Sequence, residues 1–460
     1  MPSSLRDTIK KREKMLEALK DFAEKFLSKV GEKNKRDVLI VSHYDTDGIT
    51  SAAILAKALK RIDVKFYVKI VKQLEKNTID ELSKLDNKII IFLDLGSGSL
   101  HHLADANSEF FVVDHHEITK EVPKNVHIIN PHIYGEENVS GACLAYLLAK
   151  EIDIENKDLA NLAVIGMVGD MLEKEICKIN NELLNDAEVI VKKGLLLYPA
   201  TRPLHKTLEF ATGMFIPGVT GSSRGAINLL QEAGIKKDNG EYKSLIELDD
   251  DEMSRIITAI LLHVPHRDMR ENLGNLIGNI YLIKFFGRLE DARELSAMIN
   301  ACGRLGCSEV ALALCLGDRK AKSVAESLYA KYKQHIVAAL DYISKSRHIT
   351  GKDYIIINAK NEIMDTIIGT AASILSNSQA YEKGTIIIAM AYSEDKIKVS
   401  ARIAGRNGRN IRELLEDVVK STGGECGGHP AAAGCLISRE KEFEFLEMLK
   451  KRLEVEIVKI

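Results

Sequence analysis

The sequence predicts an α/β protein with a doubly wound parallel sheet at the N-terminus, a helical middle region and a smaller C-terminal α/β domain. Three observations support this class. Short apolar runs alternate with helical segments over residues 37–150, which is typical of parallel strands joined by crossover helices. Strand patterns fade in the middle of the chain and return at residue 353. Residues 321–346 contain no Pro or Gly, which predicts a long connecting helix.

The composition is that of an ordinary globular protein. The chain has 460 residues, 64 Lys and Arg against 66 Asp and Glu, and a hydrophobic fraction of 45%. These values exclude a disordered chain, a collagen and a histone-like polycation. No apolar run reaches membrane-spanning length and the N-terminus lacks the apolar core of a signal peptide, so a cytoplasmic protein without membrane contact is expected. Seven scattered Cys without a CxxC pair predict neither a structural zinc site nor a disulfide framework.

The N-terminal half begins with an amphipathic pattern that predicts a helix over residues 4–30. Alternating segments follow. The predicted strands are 38–42, 64–71, 88–93, 110–113 and 127–130, and the predicted helices are 49–59, 77–85, 100–106, 141–150, 159–171 and 181–193.

The C-terminal part returns to mixed structure after a middle region that we expect to be mostly helical. A Gly-rich loop is predicted at 423–434. The other predicted elements are strands 354–358, 385–389 and 396–402 and helices 365–377, 410–421 and 442–453. The expected divisions are 1–195 for an N-terminal helix and first α/β domain, 196–320 for the middle region, 321–349 for the connecting helix and 350–460 for the second α/β domain.

Ligand-type side chains follow three of the predicted parallel strands. The carboxyl ends of such strands share one edge of the sheet, so these side chains should converge. Several carboxylates held together repel one another, and a divalent cation relieves that repulsion. Carboxylate and imidazole ligands suit Mn²⁺, Mg²⁺ or Zn²⁺, and the mixture of oxygen and nitrogen favours Mn²⁺. The residues concerned are His43, Asp45 and Asp47 after the first strand, Asp94 after the third, and Asp114, His115 and His116 after the fourth.

One further carboxylate closes an apolar helical segment over residues 161–170. Gly166 and Gly169 would allow neighbouring backbones to approach closely, which would place Asp170 at the end of a buried element. We therefore add Asp170 to the predicted metal ligands.

The C-terminal domain carries a local positive patch. Residues 396–412 contain six basic side chains and no acidic one, and glycines among them would let a phosphate approach the backbone. Downstream, Gly427, Gly428 and His429 could form an anion-binding turn. The candidate phosphate contacts in the patch are Ser400, Arg402, Arg406 and Arg409.

These motifs, in this order, resemble the DHH phosphoesterase superfamily. The N-terminal motifs are His43-x-Asp45-x-Asp47-Gly48, Asp94-x-Gly96, Asp114-His115-His116 and Gly166-x-x-Gly169-Asp170. Ser400-Ala-Arg402 with Gly427-Gly-His-Pro-Ala-Ala-Ala-Gly434 resembles the substrate-binding DHHA1 domain of RecJ-like nucleases. Val71-Lys-Gln73 and the Gly-Ser-Gly after Leu95 resemble the archaeal GINS-associated branch of that family.

The resemblance implies two Mn²⁺ ions held by His43, Asp45, Asp47, Asp94, His115 and Asp170, with Asp94 as the bridge. It also implies that His116 contacts the scissile phosphate and that Asp114 orients the imidazoles. Trp is absent, so nucleic-acid affinity should rest on phosphate contacts rather than on stacking.

The function implied by the resemblance is a single-strand-specific, two-metal exonuclease, favoured as 5′→3′ on DNA in replication and repair, with the middle region docking the GINS complex. Three alternatives stay open. One is 3′→5′ action on RNA or DNA. Another is a small-substrate phosphodiesterase acting on short oligonucleotides, cyclic dinucleotides or 3′-phosphoadenosine 5′-phosphate. The last is a non-catalytic replisome scaffold, since eukaryotic replicative helicases contain a relative that has lost its metal ligands; intact ligand positions argue against it here.

Overall fold

The fold is taken from a computed structural model that describes residues 3–31, 37–85, 88–106, 108–118, 120–136, 138–210, 216–263, 277–378, 380–405 and 408–454. It consists of two compact units, Met1–Leu328 and Tyr329–Ile460. Within the described residues, no helix combines the length and the apolar character needed to cross a membrane.

The N-terminal domain is a five-stranded, fully parallel sheet flanked by helices. Its strand order is β2-β1-β3-β4-β5, so the chain reverses direction across the sheet between β1 and β3, where ligands bind in doubly wound folds. The strands are β1 (Asp37–His43), β2 (Phe66–Val71), β3 (Lys88–Leu93), β4 (Phe110–Val113) and β5 (Val126–Ile129). The helices are α1 (Ser3–Val30), α2 (Thr46–Arg61), α3 (Lys76–Leu82), α4 (Leu100–Ala104), α5 (Gly141–Ile152), α6 (Ala160–Gly169) and α7 (Lys178–Asp186).

Burial explains why these segments take these forms. The central strands β1, β3 and β4 are nearly continuous apolar runs, as expected for parallel strands covered on both faces. Helix α2 is buried along most of its length, and its alanines let it pack closely against α5 and α6. Helix α1 covers the edge of the sheet, where Phe22 and Phe26 meet the ring of Phe111 edge-on at 5.4 and 5.3 Å.

The middle region is helical, as predicted, but it also contains strands that the sequence patterns did not indicate. Strands β6 (Ile190–Leu195), β9 (Ile277–Phe285) and β10 (Arg288–Asp291) form an antiparallel sheet, and β7 (Lys237–Asp238) pairs with β8 (Glu241–Tyr242). The helix predicted over 181–193 is wrong in its second half, because 190–195 extends to pair with β9. The helices are α8 (Leu204–Glu209), α9 (Ser223–Glu232), α10 (Asp250–His263), α11 (Ala292–Arg304), α12 (Ser308–Leu316) and α13 (Arg319–Lys345).

The C-terminal unit is a six-stranded mixed sheet with helices. Its order is β11-β12-β13-β14-β16-β15, with β12 and β13 parallel and the other neighbours antiparallel. The predicted Gly-rich loop is wrong, because it forms the β15–β16 hairpin. The elements are β11 (Ile349–Thr350), β12 (Tyr354–Asn358), α14 (Asp365–Ser376), β13 (Ile386–Ser393), β14 (Lys396–Ile403), α15 (Ile411–Thr422), β15 (Glu425–His429), β16 (Ala432–Ser438) and α16 (Glu442–Glu454).

Candidate metal centre

The turn between β1 and α2 supplies the first two carboxylates. Asp45 is the N-cap of α2, and its Oδ1 accepts a hydrogen bond from Gly48 N at 3.0 Å. The turn is so tight that a Cβ on Gly48 would lie 2.4 Å from the carbonyl oxygen of His43. Asp47, in the first turn of the same helix, is 1% exposed.

Asp47 is held by the N-terminus of another helix. Its two oxygens accept hydrogen bonds from Gly141 N at 2.6 Å and Ala142 N at 2.9 Å, in the first turn of α5. Free backbone N–H groups and the positive end of a helix dipole both stabilise a carboxylate there. A Cβ on Gly141 would come within 2.9 Å of Asp47, and a Cβ on Gly166 within 2.6 Å. These two glycines allow α5 and α6 to close around the carboxylate.

Asp94 lies in the centre of the site, directly after β3. Its backbone has a φ of 56°, a left-handed conformation that is uncommon for a residue with a side chain. The hydrogen bond from Asp94 N to Val113 O, at 2.9 Å, continues the pairing of β3 with β4. The Asp94 side chain is 2% exposed. Backbone strain of this kind is typical of functional sites, where the surrounding structure holds it in place.

The predicted ligands converge around Asp94. The Nε2 atom of His115 lies 3.1 Å from Asp170 Oδ2, 3.3 Å from Asp94 Oδ1 and 3.7 Å from Asp47 Oδ2. On the other side, His43 Nδ1 lies 3.0 Å from Asp45 Oδ2 and 3.5 Å from Asp94 Oδ2. Side chains up to 127 positions apart in the sequence thus lie within a few ångströms of one another.

Three groups of side chains in this site have the spacing to hold a metal ion. Asp94 belongs to two of them, and His115 also belongs to two. Within each group the ligand atoms lie within 4.8 Å of one another; the groups are Asp94 with His115 and His116, His43 with Asp45 and Asp94, and Asp47 with His115 and Asp170. Two polar atoms in the centre, Asp94 Oδ1 and His43 Nδ1, are buried and make no hydrogen bond of ordinary geometry to any described residue. The donor set therefore fits divalent cations.

The electrostatics of the carboxylates also fit a cation. Burial raises the pKa of Asp47 well above its ordinary value, and the charges of Asp170 and Asp94 raise it further. The pKa of Asp170 is raised by burial too, although His115 opposes this. Burial lowers the pKa of His115, but the carboxylates of Asp170 and Asp94 outweigh this effect and the net shift is upward. Without a cation, this cluster relieves the repulsion among its carboxylates by taking up protons.

His116 is positioned differently from the other candidates. Its Nδ1 lies 2.8 Å from Asp114 Oδ1, while its side chain is 57% exposed. Burial lowers the pKa of His116, but the Asp114 carboxylate more than compensates. Asp114 is buried and also accepts hydrogen bonds from Ser97 N and His115 N, both at 2.8 Å. Burial opposes its charge, but bonding to His116 and these amides holds the pKa of Asp114 well below its usual range.

Asn130 is a part of the site that lies outside the sequence motifs. Its Nδ2 donates to Ser97 Oγ and to the carbonyl oxygen of His116, both at 2.9 Å, and its Oδ1 accepts from His132 N at 2.9 Å. The fully buried amide ties the loops after β3, β4 and β5 together. Because Asn130 directly follows the fifth strand, the strand-end rule used for the carboxylates could have found it.

The C-terminal candidates share one face of the sheet. Ser400 pairs with Gly434, which pairs with Gly427 on the next strand; Arg402 and His429 both pair with Ala432 in the same way. Because side chains alternate along a strand, Ser400, Arg402 and His429 point to the same side. That side faces α14, since Arg402 Nε donates to Ser373 Oγ at 2.9 Å. Gly428 lies in β15, next to His429, and its backbone has a φ of 124°.

Two predicted phosphate contacts stand apart. The Arg409 guanidinium donates to the carbonyl oxygens of Leu453 and Arg452, at 2.8 and 2.7 Å, and so caps the C-terminal end of α16. These bonds explain the position of Arg409 without a substrate. Arg406 lies outside the described residues.

Three family domains match the chain in order. Residues 37–167 match the N-terminal domain of the DHH family, 197–277 the DHH-CID domain and 351–455 the DHHA1 domain. A protein of Methanocaldococcus jannaschii with no characterized function is 29% identical, over 96% of this chain and 97% of its own. The single-stranded-DNA-specific exonuclease RecJ of Bacillus subtilis is 25% identical over 34% of this chain, a stretch that covers 22% of that protein.

Solved structures share the fold. RecJ from Thermus thermophilus in complex with Mn²⁺ has a TM-score of 0.59 and 17% identity; the match covers 95% of this chain and 55% of that one. A second structure of that RecJ holds Mg²⁺. CDC45 from Entamoeba histolytica has a TM-score of 0.63 and 13% identity, and the match covers 95% of this chain and 99% of that one. The chain thus contains a DHH domain, a DHH-CID domain and a DHHA1 domain in this order, and it has the fold of the solved RecJ structures.

Proposed function

We propose that this protein is an Mn²⁺-dependent, single-strand-specific exonuclease that hydrolyses phosphodiester bonds with two metal ions, 5′→3′ on DNA, in replication and repair. The observation that carries the proposal is the convergence of six ligand-type side chains on Asp94, where two buried polar atoms make no hydrogen bond of ordinary geometry to the described residues. The name of the Bacillus relative and the Mn²⁺ held by the Thermus neighbour support the choice of substrate and ion.

The ligands form two sides of the site around Asp94. His43 and Asp45 lie on one side, and Asp47, His115 and Asp170 lie on the other. When bound, two divalent ions activate a water molecule and stabilise charge on the reacting phosphate. The chain's own contribution is to fix the donors: α5 amides hold Asp47, the N-cap bond holds Asp45, and strand pairing holds the Asp94 backbone.

His116 is the group we assign to the scissile phosphate. Its Nδ1 is engaged by Asp114, which orients the ring and favours the protonated form. A protonated imidazole then has its Nε2–H free to donate to a non-bridging phosphate oxygen. The side chain is 57% exposed, so the ring is accessible to a phosphate that enters the site. Asp114 acts through His116 and is a positioning residue.

The DHHA1 unit supplies the candidate contacts to the rest of the strand. Ser400, Arg402 and His429 lie on one face of the sheet, and Gly427 and Gly428 bring backbone near it. Arginine and backbone N–H groups bind phosphates without reading bases. The proposal therefore includes little sequence preference and strong salt dependence.

The test is degradation of 30-mers of DNA and RNA labelled at the 5′ or the 3′ end, with Mn²⁺ and with Mg²⁺. Asp94→Asn removes the central charge with a residue that tolerates the left-handed backbone, and Asp105→Asn is the exposed control. Release of mononucleotides from the 5′ end of DNA, lost only in Asp94→Asn, is the expected result. Turnover confined to fragments of two to five nucleotides would replace the proposal with a small-substrate phosphodiesterase. Complete inactivity would favour a scaffold.

We also propose that the middle region docks the GINS complex. It contains a separate domain match at 197–277, and the CDC45 neighbour shares the whole fold. Near the end of α10, Leu262 is 76% exposed, an unusual position for a large apolar side chain. Leu262→Glu should weaken co-elution with purified GINS, whereas Phe443→Glu, at a 79% exposed residue of the other unit, should not. Equal binding by both variants would contradict the proposed docking surface.

A further inference from the structure

Helix α11 lies against the turn that carries the first two carboxylates. Thr46, between Asp45 and Asp47, donates a hydrogen bond from Oγ1 to the carbonyl oxygen of Ser296 in α11, at 2.8 Å. The two residues are 250 positions apart, and Thr46 is 2% exposed. The bond is therefore a buried, long-range attachment at the centre of the first motif.

A second contact fixes the same turn from the far end of α11. A Cβ on Gly303 would lie 2.0 Å from the carbonyl oxygen of Tyr44, so the helix backbone rests directly on the turn. On α6, a Cβ on Gly169 would meet the Thr46 side chain at 2.9 Å and Ser296 Oγ at 3.2 Å. Thr46 is thus enclosed between α11 and the end of α6, next to Asp170.

The start of α11 is also fixed, so the helix cannot slide along the turn. Its N-cap, Asp291, is buried and accepts hydrogen bonds from Arg293 N and from Ala200 N, both at 2.9 Å. The guanidinium of Arg293 pairs with Glu173 at 2.9 Å, and both side chains are largely buried. Glu173 follows Asp170 by three residues, so this pair attaches α11 beside a second predicted ligand.

We propose that α11 is a wall of the metal centre and that Thr46 is a positioning residue, whose bond to Ser296 sets the placement of Asp45 and Asp47. The inference rests on the proposed metal-dependent function and deepens it. Neither the DHH match at 37–167 nor the DHH-CID match at 197–277 includes α11. The metal-binding unit accordingly extends to a helix that neither domain match covers.

Two substitutions separate the hydroxyl of Thr46 from its methyl group. Thr46→Val keeps the shape and the β-branching but removes the donor, whereas Thr46→Ser keeps the donor and removes the methyl. Loss of a contact that orients metal ligands commonly weakens metal binding by 10- to 100-fold. We expect Thr46→Val to bind Mn²⁺ about 10-fold more weakly, and Thr46→Ser to retain close to the wild-type affinity.

A matched control shows whether any such loss is specific. Thr207 is fully buried in the middle region, and its Oγ1 donates to the carbonyl oxygen of Pro199 at 2.7 Å. Thr207→Val removes a bond of the same type at a site that contacts none of the predicted ligands. It should lower the thermal stability of the metal-free protein as much as Thr46→Val does, but leave Mn²⁺ affinity unchanged.

The measurement is calorimetric titration of the full chain with MnCl₂, with the melting temperature of each metal-free variant recorded alongside. The expected result is weaker Mn²⁺ binding by Thr46→Val alone, whereas Thr46→Ser and Thr207→Val bind Mn²⁺ with close to the wild-type affinity. Equal Mn²⁺ affinity in Thr46→Val and Thr207→Val would overturn the inference and leave the proposed function intact. Absence of Mn²⁺ binding by the wild-type chain would overturn the proposed function and this inference together.

Discussion

Replacing Gly166 with alanine tests how tightly the helices must close around Asp47. The new Cβ would lie 2.4 Å from the Cβ of Ala142 and 2.6 Å from both Asp47 Oδ1 and Thr50 Oγ1. Carbon atoms ordinarily meet at about 3.5–4.0 Å, so the overlap with Ala142 is more than 1 Å and α6 must move away from α5. The clash with Asp47 Oδ1 also pushes that oxygen away from Ala142 N, from which it accepts a hydrogen bond at 2.9 Å.

The magnitude follows from three contributions. Overpacking a core costs about 1–3 kcal/mol, and weakening a hydrogen bond to a buried charged group costs about 1.5–3 kcal/mol more. Replacing glycine by alanine inside a helix returns about 1 kcal/mol. We expect a net loss of about 1.5–5 kcal/mol in the free energy of unfolding of the N-terminal unit, together with Mn²⁺ binding at least about 10-fold weaker.

Two assays are needed, urea unfolding of the metal-free protein and a separate Mn²⁺ titration of the folded protein, each with Gly98→Ala as the control. Gly98 is exposed, and a Cβ there would meet nothing within 4 Å, so the control should stay within about 0.5 kcal/mol of the wild type. If Gly166→Ala is as stable as Gly98→Ala and binds Mn²⁺ as well, the close packing argued for α5, α6 and Asp47 is wrong.

Three other expectations can be checked separately. Asp186 accepts from Lys150 Nζ at 2.6 Å; burial opposes its charge, but this bond and others lower the pKa of Asp186 from 3.8 to about 2. Its ionised form therefore stabilises the fold above pH 4, and this stabilisation is lost as the pH falls through 2. Asp186→Asn should lower the free energy of unfolding by about 1–2 kcal/mol at pH 7, and the difference from the wild type should vanish near pH 2. Arg402→Gln should raise the KM for single strands and flatten the salt dependence of that KM, whereas Arg409→Gln should lower the melting temperature and leave KM unchanged; the reverse pattern would assign the phosphate contact to Arg409. Chelation with EDTA should abolish nuclease activity and lower the melting temperature of the N-terminal unit, and Mn²⁺ should restore both; full activity in EDTA would contradict metal dependence.

The carboxylate cluster could be predicted because it follows from local patterns and one general rule. Apolar runs of strand length identify β1, β3 and β4, and parallel strands place Asp47, Asp94 and His115 at one edge wherever they lie in the sequence. The prediction of Asp170 as a ligand also depended on the motif resemblance, because the sequence of an apolar helix does not indicate which of its ends meets the sheet.

The features that escaped prediction depend on partners distant in sequence. Ile190 and Val191 are half-exposed and come shortly after helix α7, and they form a strand because β9 pairs with them some 90 residues later. The glycines of β15 resemble a loop, yet β16 supplies the hydrogen-bond partners that extend them. No sequence pattern indicates the hydrogen bond between Thr46 and Ser296, because an isolated threonine and a backbone carbonyl have no sequence signature.

The separation of Thr46 from Ser296 also affects the order of events during synthesis. A ribosome adds about 5–20 residues per second, so α11 is made roughly 10–50 s after the first metal motif. During that interval the turn between β1 and α2 lacks one of its walls, although the N-cap bond of Asp45 and the α5 amides on Asp47 can already form. Capture of a divalent ion with full affinity would thus be delayed until about two-thirds of the chain has been translated, so that a nascent fragment ending before α11 would compete poorly with the finished protein for a scarce ion.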